Sequence, residues 1–424
     1  MQRLSSRVSR VGTLCFDLDH ALCRYKLIPF FDLVHDAVGD FLIKEKGFPA
    51  NALQRSRPRD EEHAFCAKGL ILEWKTGNFI KLDSRGWVSK ASHGSRMLER
   101  SEIEHTYSSE WGHAECMRQM KKHDDFLALL TFFEGPTAVL IARLIDAIDR
   151  AEGGAICPAH EAALERKEEG YGWIKGPLFD AFNNAFNAEQ FAAKTGGYFP
   201  PIISSPGNYV YEAPEVFSWL KNLRAEGSRV VLVTNSQEDY AACLLRHMFG
   251  QGWQDAFDLV ITYAQKPSFF TETPEERPFV LLDSDSKSIG ESAFIPLGHT
   301  KTTSKVVVGG TYQALCQHLT SEYDQVPGKS GGSFFGDHMW GDLGATRKYT
   351  DWEPIGVVEE LAYRSDEASP GPALGKDWGH FLREDGAYYP FSQGEGEPTF
   401  YGQFLEQNSP LMVTSVAELA SASS

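Results

Sequence analysis

The sequence predicts an α/β fold, a Rossmann-like core built on a parallel sheet with a mainly helical cap inserted into it. A short apolar run, Val11 to Phe16, is the first strong strand signal and stops at Asp17. From about Ser101 to Lys194 the signals are nearly all helical. After the break at Tyr198-Phe199-Pro200-Pro201, helix and strand patterns alternate. Short β-branched strands separated by helices argue for a parallel sheet covered on both faces. At 424 residues and 47.3 kDa, two structural units are expected rather than one small core.

Taken in order, the run Val11 to Phe16 is followed by helical periodicity at Leu33, Val34, Ala37, Val38, Phe41 and Leu42, closing at Lys46-Gly47. Two alternating runs, Ile71–Trp74 and Phe79–Leu82, flank the turn Lys75-Thr76-Gly77-Asn78. With Trp87-Val88 after Ser84-Arg85-Gly86 they read as a β-meander. Pro136 suits a helix first turn ahead of Val139, Leu140, Ile141, Leu144, Ile145 and Ile148. Phe182, Phe186 and Phe191 mark another helix. Beyond the break, a helix opens at Pro214 and closes at Gly227, and a strand Val230–Val233 ends at Thr234. Strand Leu259–Ile261, a helix near 309–320, strand Ser333–Phe335 and strand Ile355–Val358 follow. The expected domains are a core of 1–100 and 205–362, a helical cap of 101–204, and a linker with an aromatic C-terminal segment over 363–424.

Composition narrows the function. Hydrophobic residues at 42% and charged residues at 23% are those of a folded globular chain. A net charge of −17 repels phosphate backbones, so nucleic acid is not an expected partner, whereas a small anion can still be bound where a metal and a few cations reverse the local potential. The seven cysteines stand singly with no CxxC pair, which fits free thiols in a reducing compartment and a cytoplasmic location. The most apolar stretch, Phe126 to Ile148, is broken by Glu134, Pro136, Arg143 and Asp146 and does not read as a membrane span.

In open parallel sheets ligands sit at the carboxyl ends of the strands. Strand one ends at Asp17-Leu18-Asp19, strand two at Thr234-Asn235-Ser236, and a later strand at Gly336-Asp337, with Asp342 five residues on. Lys266 lies in the loop after Leu259–Ile261. Carboxylates gathered this closely call for a cation, and Mg²⁺ suits an oxygen donor set that leaves room for water and a phosphate oxygen. A second D-x-D, Asp283-Ser284-Asp285 after Phe279–Leu282, competes for the role, but no threonine strand and lysine follow it before the final acids.

The order D-x-D, Thr, Lys, Asp, Asp resembles the signature of the haloacid-dehalogenase superfamily. The run from Phe16 to Tyr25 (FDLDHALCRY) is similar to the opening motif of the cytosolic 5′-nucleotidase family. Gly77–Leu82, Ala91-Ser92-His93-Gly94, Lys266–Phe270 and Gly336–Asp342 resemble its later blocks, and the likeness runs on through Arg347-Lys348-Tyr349 and Trp352-Glu353. These blocks point to a branch whose members are named for carrying the domain. The resemblance covers about 10–360, and 376–420 more loosely.

The resemblance implies a haloacid-dehalogenase core and a Mg²⁺-dependent phosphohydrolase. Asp17 is then the nucleophile and Asp19 the general acid and base. The metal falls to Asp17, the Asp19 carbonyl and Asp337, while Thr234, Asn235 and Lys266 bind phosphate and Asp342 supports them. The implied substrate is a nucleoside monophosphate or similar small phosphate ester, with hydrolysis and transfer to another nucleoside both open. A homo-oligomer is compatible with the aromatic tail. His93 offers either a nucleotide contact or a structural hydrogen bond. Where the family usually has threonine this chain has Ala21, and that departure motivates an alternative, a catalytically weak regulatory or scaffolding member that keeps the fold and the metal site.

Overall fold

The computed structural model describes residues 7–53, 59–107, 125–283, 287–296, 304–322, 330–362, 375–379, 381–382 and 397–422. The expected linker, 365–375, lies outside them apart from Gly375, as does His380. In chain order the strands are β1 (Val11–Phe16), β2 (Leu70–Glu73), β3 (Asn78–Leu82), β4 (Val88–His93), β5 (Arg96–Met97), β6 (Phe126–Leu129) and β7 (Arg229–Val233). Then come β8 (Leu259–Thr262), β9 (Phe279–Leu282), β10 (Ser288–Ser292), β11 (Val306–Gly309), β12 (Ser330–Gly336), β13 (Glu353–Val357) and β14 (Leu411–Val413). The chain divides into two compact units. One comprises Met1–Lys26, Pro206–Ala362 and Leu405–Ser424, the other Leu27–Ser205 and Tyr363–Phe404. The second unit thus contains both the expected cap insertion and residues 27–100.

The first unit is a nine-stranded sheet in the order β10-β9-β11-β8-β7-β1-β12-β13-β14. The seven strands from β11 to β14 in that order run parallel, while β9 runs antiparallel to its neighbours β11 and β10 at one edge. Val230, Val231, Leu232 and Val233 are all fully buried, as expected for a central strand packed on both faces. The helix Pro214–Ala225 starts on a proline whose missing N–H needs no partner there. The next helix, Glu238–Phe249, places Glu238 and Asp239 in its first turn and Arg246 and His247 in its last, the polarity its dipole favours.

Sheet direction disposes of the competing D-x-D. Because β9 runs antiparallel to β11, its carboxyl end lies at the opposite rim from those of β1, β7, β8 and β12. Asp283 follows β9 there, and Ser284 and Asp285 lie outside the described residues.

The second unit carries an antiparallel sheet in the order β5-β4-β3-β2-β6, with Ile71 opposite Ile80 and Ile80 opposite Ala91. This is the expected meander extended by two strands. One of them, β6, occupies Phe126–Leu129, where the sequence reading is helical. The turn into β3 uses Gly77 at φ +71, a conformation a side chain resists. The helices Leu27–Lys46, Gly135–Arg150 and Lys175–Phe186 pack together. Among the described residues of the tail, Trp378 also belongs here. Trp378 is 1% exposed, its indole N–H donates to the Phe65 carbonyl at 3.0 Å, and its own carbonyl accepts from Lys81 Nζ at 3.0 Å. His93 belongs to this unit and makes the expected kind of structural hydrogen bond, with Nδ1 2.9 Å from Asn78 Oδ1 and Nε2 2.8 Å from Asp149 Oδ2.

Three strands of the first unit are absent from the sequence reading as well, β10 at Ser288–Ser292 among them. Val306–Gly309 is strand β11, and the helix that the reading begins near 309 starts at Tyr312. Leu411–Val413, within the expected aromatic tail, adds β14 beside β13. The six cysteines among the described residues form no disulfide with one another. Among those residues no helix is long and apolar enough to cross a membrane.

Candidate active site

The parallel register brings the expected residues to one rim of the first unit. Phe16 pairs with Phe335 across β1 and β12, their rings stacked at 4.6 Å, and the Asp17 N–H donates to the Phe335 carbonyl at 2.8 Å. On the other side the Thr234 N–H donates to the Ile261 carbonyl at 2.9 Å, which seats the end of β7 against β8. Asp17, Thr234, Lys266, Asp337 and Asp342 are all buried.

Lys266 holds the centre. Its Nζ lies 2.8 Å from Asp17 Oδ1 and 2.7 Å from Asp342 Oδ1. Burial alone would lower its pKa, but Asp17 and Asp342 hold the ammonium above its ordinary value. Asn235, expected among the phosphate-binding residues, is exposed and applies its amide to the lysine loop. Its Oδ1 accepts from the Lys266 N–H at 2.7 Å, and its Nδ2 donates to the Lys266 carbonyl at 3.3 Å. The loop is tight enough to place Gln265 at φ +53, an uncommon conformation for a side-chain-bearing residue. The Thr234 hydroxyl oxygen accepts the Ser236 N–H at 3.1 Å, which leaves its O–H proton as the group to offer a ligand.

Asp342 returns to the rim through one π-helical turn, Met339–Gly344. Its Oδ2 accepts the His338 N–H at 3.2 Å, and its own N–H donates to the His338 carbonyl at 3.0 Å. Gly336 makes that return possible, since a Cβ there would lie 2.5 Å from Asp342 Cβ.

Asp17, Asp337 and Asp342 each offer a carboxylate oxygen, and these oxygens lie within 4.8 Å of one another. Three carboxylates brought this close in a buried place repel one another, and a divalent cation offsets that repulsion. The donors are all oxygen, with no thiol or imidazole in the group, so Mg²⁺ fits better than zinc. Burial pushes the Asp17 carboxyl up to about 6, with Lys266 opposing and Asp342 adding to the rise. Burial likewise pushes Asp19 up to about 6 against the pull of two hydroxyl hydrogen bonds, from Ser236 and from Tyr25.

Those two hydroxyls are absent from the sequence reading of the site. Tyr25 Oη donates to Asp19 Oδ1 at 2.6 Å, and Ser236 Oγ donates to Asp19 Oδ2 at 2.5 Å. Tyr25 stands in the same motif as Asp19, and Ser236 two places after Thr234. The spacing gives no reason to aim either side chain at the carboxylate.

The profile of the 5' nucleotidase family matches residues 4–367. The chain belongs to that family. A Homo sapiens protein named "5'-nucleotidase domain-containing protein 1" is 32% identical over 359 residues, covering 84% of this chain and 72% of the relative. A Bos taurus protein of the same name is 30% identical over 409 residues, covering 89% of this chain and 84% of the relative. The order of site residues along the sheet, and the haloacid-dehalogenase placement drawn from it, are consistent with membership of the 5' nucleotidase family. Membership supports a nucleotidase or phosphatase at the family level.

Proposed function

We propose that this protein is a Mg²⁺-dependent phosphohydrolase that acts on nucleoside 5′-monophosphates or similar small phosphate esters through an aspartyl-phosphate on Asp17. The observation that carries the reading is the Asp17 carboxylate at the end of β1, 2.8 Å from Lys266 Nζ and grouped with Asp337 and Asp342. Asp17 attacks phosphorus, and the bond from phosphorus to the ester oxygen breaks while Asp19 gives that oxygen a proton. Asp19 then takes a proton from water, whose oxygen attacks phosphorus, and the bond to Asp17 breaks to release phosphate. Thr234 and the lysine ammonium bind the phosphoryl oxygens and offset the charge on them. Asn235 serves phosphate binding by fixing the main chain on both sides of Lys266. Asp337, Asp17 and the Asp19 carbonyl would hold Mg²⁺, which shields the anionic nucleophile from the anionic phosphate.

The test is turnover of purified protein with Mg²⁺ against a panel of phosphate esters, nucleoside 5′-monophosphates among them. Release of phosphate from none of them would reject the reading. The metal is tested separately. Isothermal titration of Mg²⁺ into Asp337→Ala should show binding lost, and an affinity equal to that of the wild type would remove the proposed metal site.

The insertion 101–204 is proposed as a cap that excludes water while the aspartyl-phosphate exists. Hydrogen exchange with and without a phosphate analogue is expected to change protection in that stretch. Unchanged protection would leave it a purely structural insertion. The alternative reading, a weak regulatory member, draws on Ala21, which brings no hydroxyl to the first loop. The two hydroxyls already bound to Asp19 weigh against it.

A further inference from the structure

The Asp19 carboxylate is held from both of its oxygens by hydroxyls distant in sequence. Tyr25 comes from the segment after β1, where its main chain bridges to Val210, and its side chain is completely buried. The Tyr240 hydroxyl lies 3.0 Å from the Tyr25 hydroxyl. The Tyr25 proton is engaged with Asp19, so Tyr240 is the donor in that pair. Tyr240 sits on the helix Glu238–Phe249 and is itself 7% exposed. The His20 ring lies against the Tyr25 ring at 4.6 Å, with His20 in the left-handed region at φ +56. On the opposite oxygen, Ser236 reaches Asp19 from the loop after β7.

A carboxylate bound at one oxygen still swings about its Cβ–Cγ bond, whereas two hydrogen bonds on different oxygens fix its plane. Proton transfer depends on that orientation, and small misplacements of a reacting group are expensive. Tyrosine is suited to the task, since a buried ring with two side-chain torsions holds its hydroxyl with little freedom. The side-chain grip on Asp19 therefore comes from Tyr25 on one oxygen and Ser236 on the other.

We propose that Tyr25, with Tyr240 behind it and Ser236 opposite, is the positioning residue that aims Asp19 at the ester oxygen and then at water. The proposal rests on Asp19 being the acid and base of the reaction above. In the first transfer a proton leaves Asp19 for the departing oxygen, and in the second a proton from water returns to it. Tyr25 and Tyr240 neither gain nor lose a proton overall.

Two measurements test this. In protein carrying ¹³C at the aspartate carboxyls, the Asp19 resonance is assigned by its loss in Asp19→Asn. It should shift in both Tyr25→Phe and Ser236→Ala, because a hydrogen bond to the carboxylate has gone. Rapid-quench measurement of the first phosphoryl transfer should then show Tyr25→Phe losing roughly 10- to 100-fold on a nucleoside monophosphate. The loss on p-nitrophenyl phosphate should be much smaller, with KM little changed on either. Tyr240→Phe should lose less, and adding it to Tyr25→Phe should cost nothing further, since it acts through Tyr25. An unmoved Asp19 resonance in Tyr25→Phe overturns the grip. A shifted resonance with equal losses on the two esters overturns the positioning role. A wild type that transfers no phosphoryl group would reject the proposed function instead, and the resonance would still decide whether Tyr25 holds Asp19. Phenylalanine keeps the buried ring, and a thermal melt of each variant separates a lost fold from a lost contact.

Discussion

Asp17→Asn is expected to abolish turnover of every phosphate ester, whatever its leaving group. Asparagine is nearly isosteric with aspartate, but an amide oxygen is a poor nucleophile towards phosphorus. Removal of a covalent nucleophile elsewhere costs on the order of 10⁶-fold in kcat, which would put this variant below detection. The fold should survive, because residue 17 lies beyond the end of β1 and its N–H bond to Phe335 is main chain. Lys266 would not be left as an uncompensated buried charge, since Asp342 stays 2.7 Å from its ammonium. Phosphate release together with a thermal melt checks both halves. Measurable turnover by folded Asp17→Asn would require another nucleophile.

Asp19→Asn should separate substrates that Asp17→Asn treats alike. A ribose alkoxide leaves with difficulty unless it is protonated, whereas p-nitrophenolate leaves readily without a proton. General acid help is typically worth roughly 10²–10⁴-fold. Formation of the phosphoenzyme from a nucleoside monophosphate should fall by about that factor, and from p-nitrophenyl phosphate by far less. Rapid quench is the appropriate measurement, because in the proposed reaction later hydrolysis of the phosphoenzyme also draws on Asp19. Equal losses on the two esters would strip Asp19 of the acid role.

Strands with strong local signals were legible in the sequence. β1, β7, β8, β12 and β13 are apolar and β-branched or glycine-bounded, and the residues just beyond β1, β7 and β12 announce the rim. β6 was not legible, because Phe126–Leu129 is a four-residue apolar run leading into the helix Gly135–Arg150. A short apolar run does not distinguish strand from helix. β14 is three residues long, too short to show a period, whereas β11 carries the same β-branched, glycine-bounded signal as the strands that were read. The gathering of Asp17, Lys266, Asp337 and Asp342 followed from strand ends in a parallel sheet. The grip on Asp19 did not, since Ser236 lies 217 positions away and the contact exists only after the sheet has formed. Asn235 shows the same limit. Its position suggests a phosphate ligand, and only the fold shows both amide atoms turned to the main chain of Lys266.

The pairing of β1 also sets an order of events at the ribosome. Thr13 pairs with Arg229 and Val11 with Ser330, so both neighbours of β1 are made more than two hundred residues after it. At roughly 5–20 residues per second, β1 waits on the order of ten to forty seconds for its first partner. Leu27–Ser205 is made in one continuous piece during that interval and can begin to pack before β1 finds a neighbour. The acidic centre is complete only when Asp342 has emerged, and the sheet only when Leu411–Val413 has. A nascent chain therefore carries an unpaired strand edge beside the Asp17 carboxylate through most of its synthesis. The centre is completed late, so a chain that stops short of Asp342 lacks the full acid group and leaves Lys266 with Asp17 but without its second carboxylate partner.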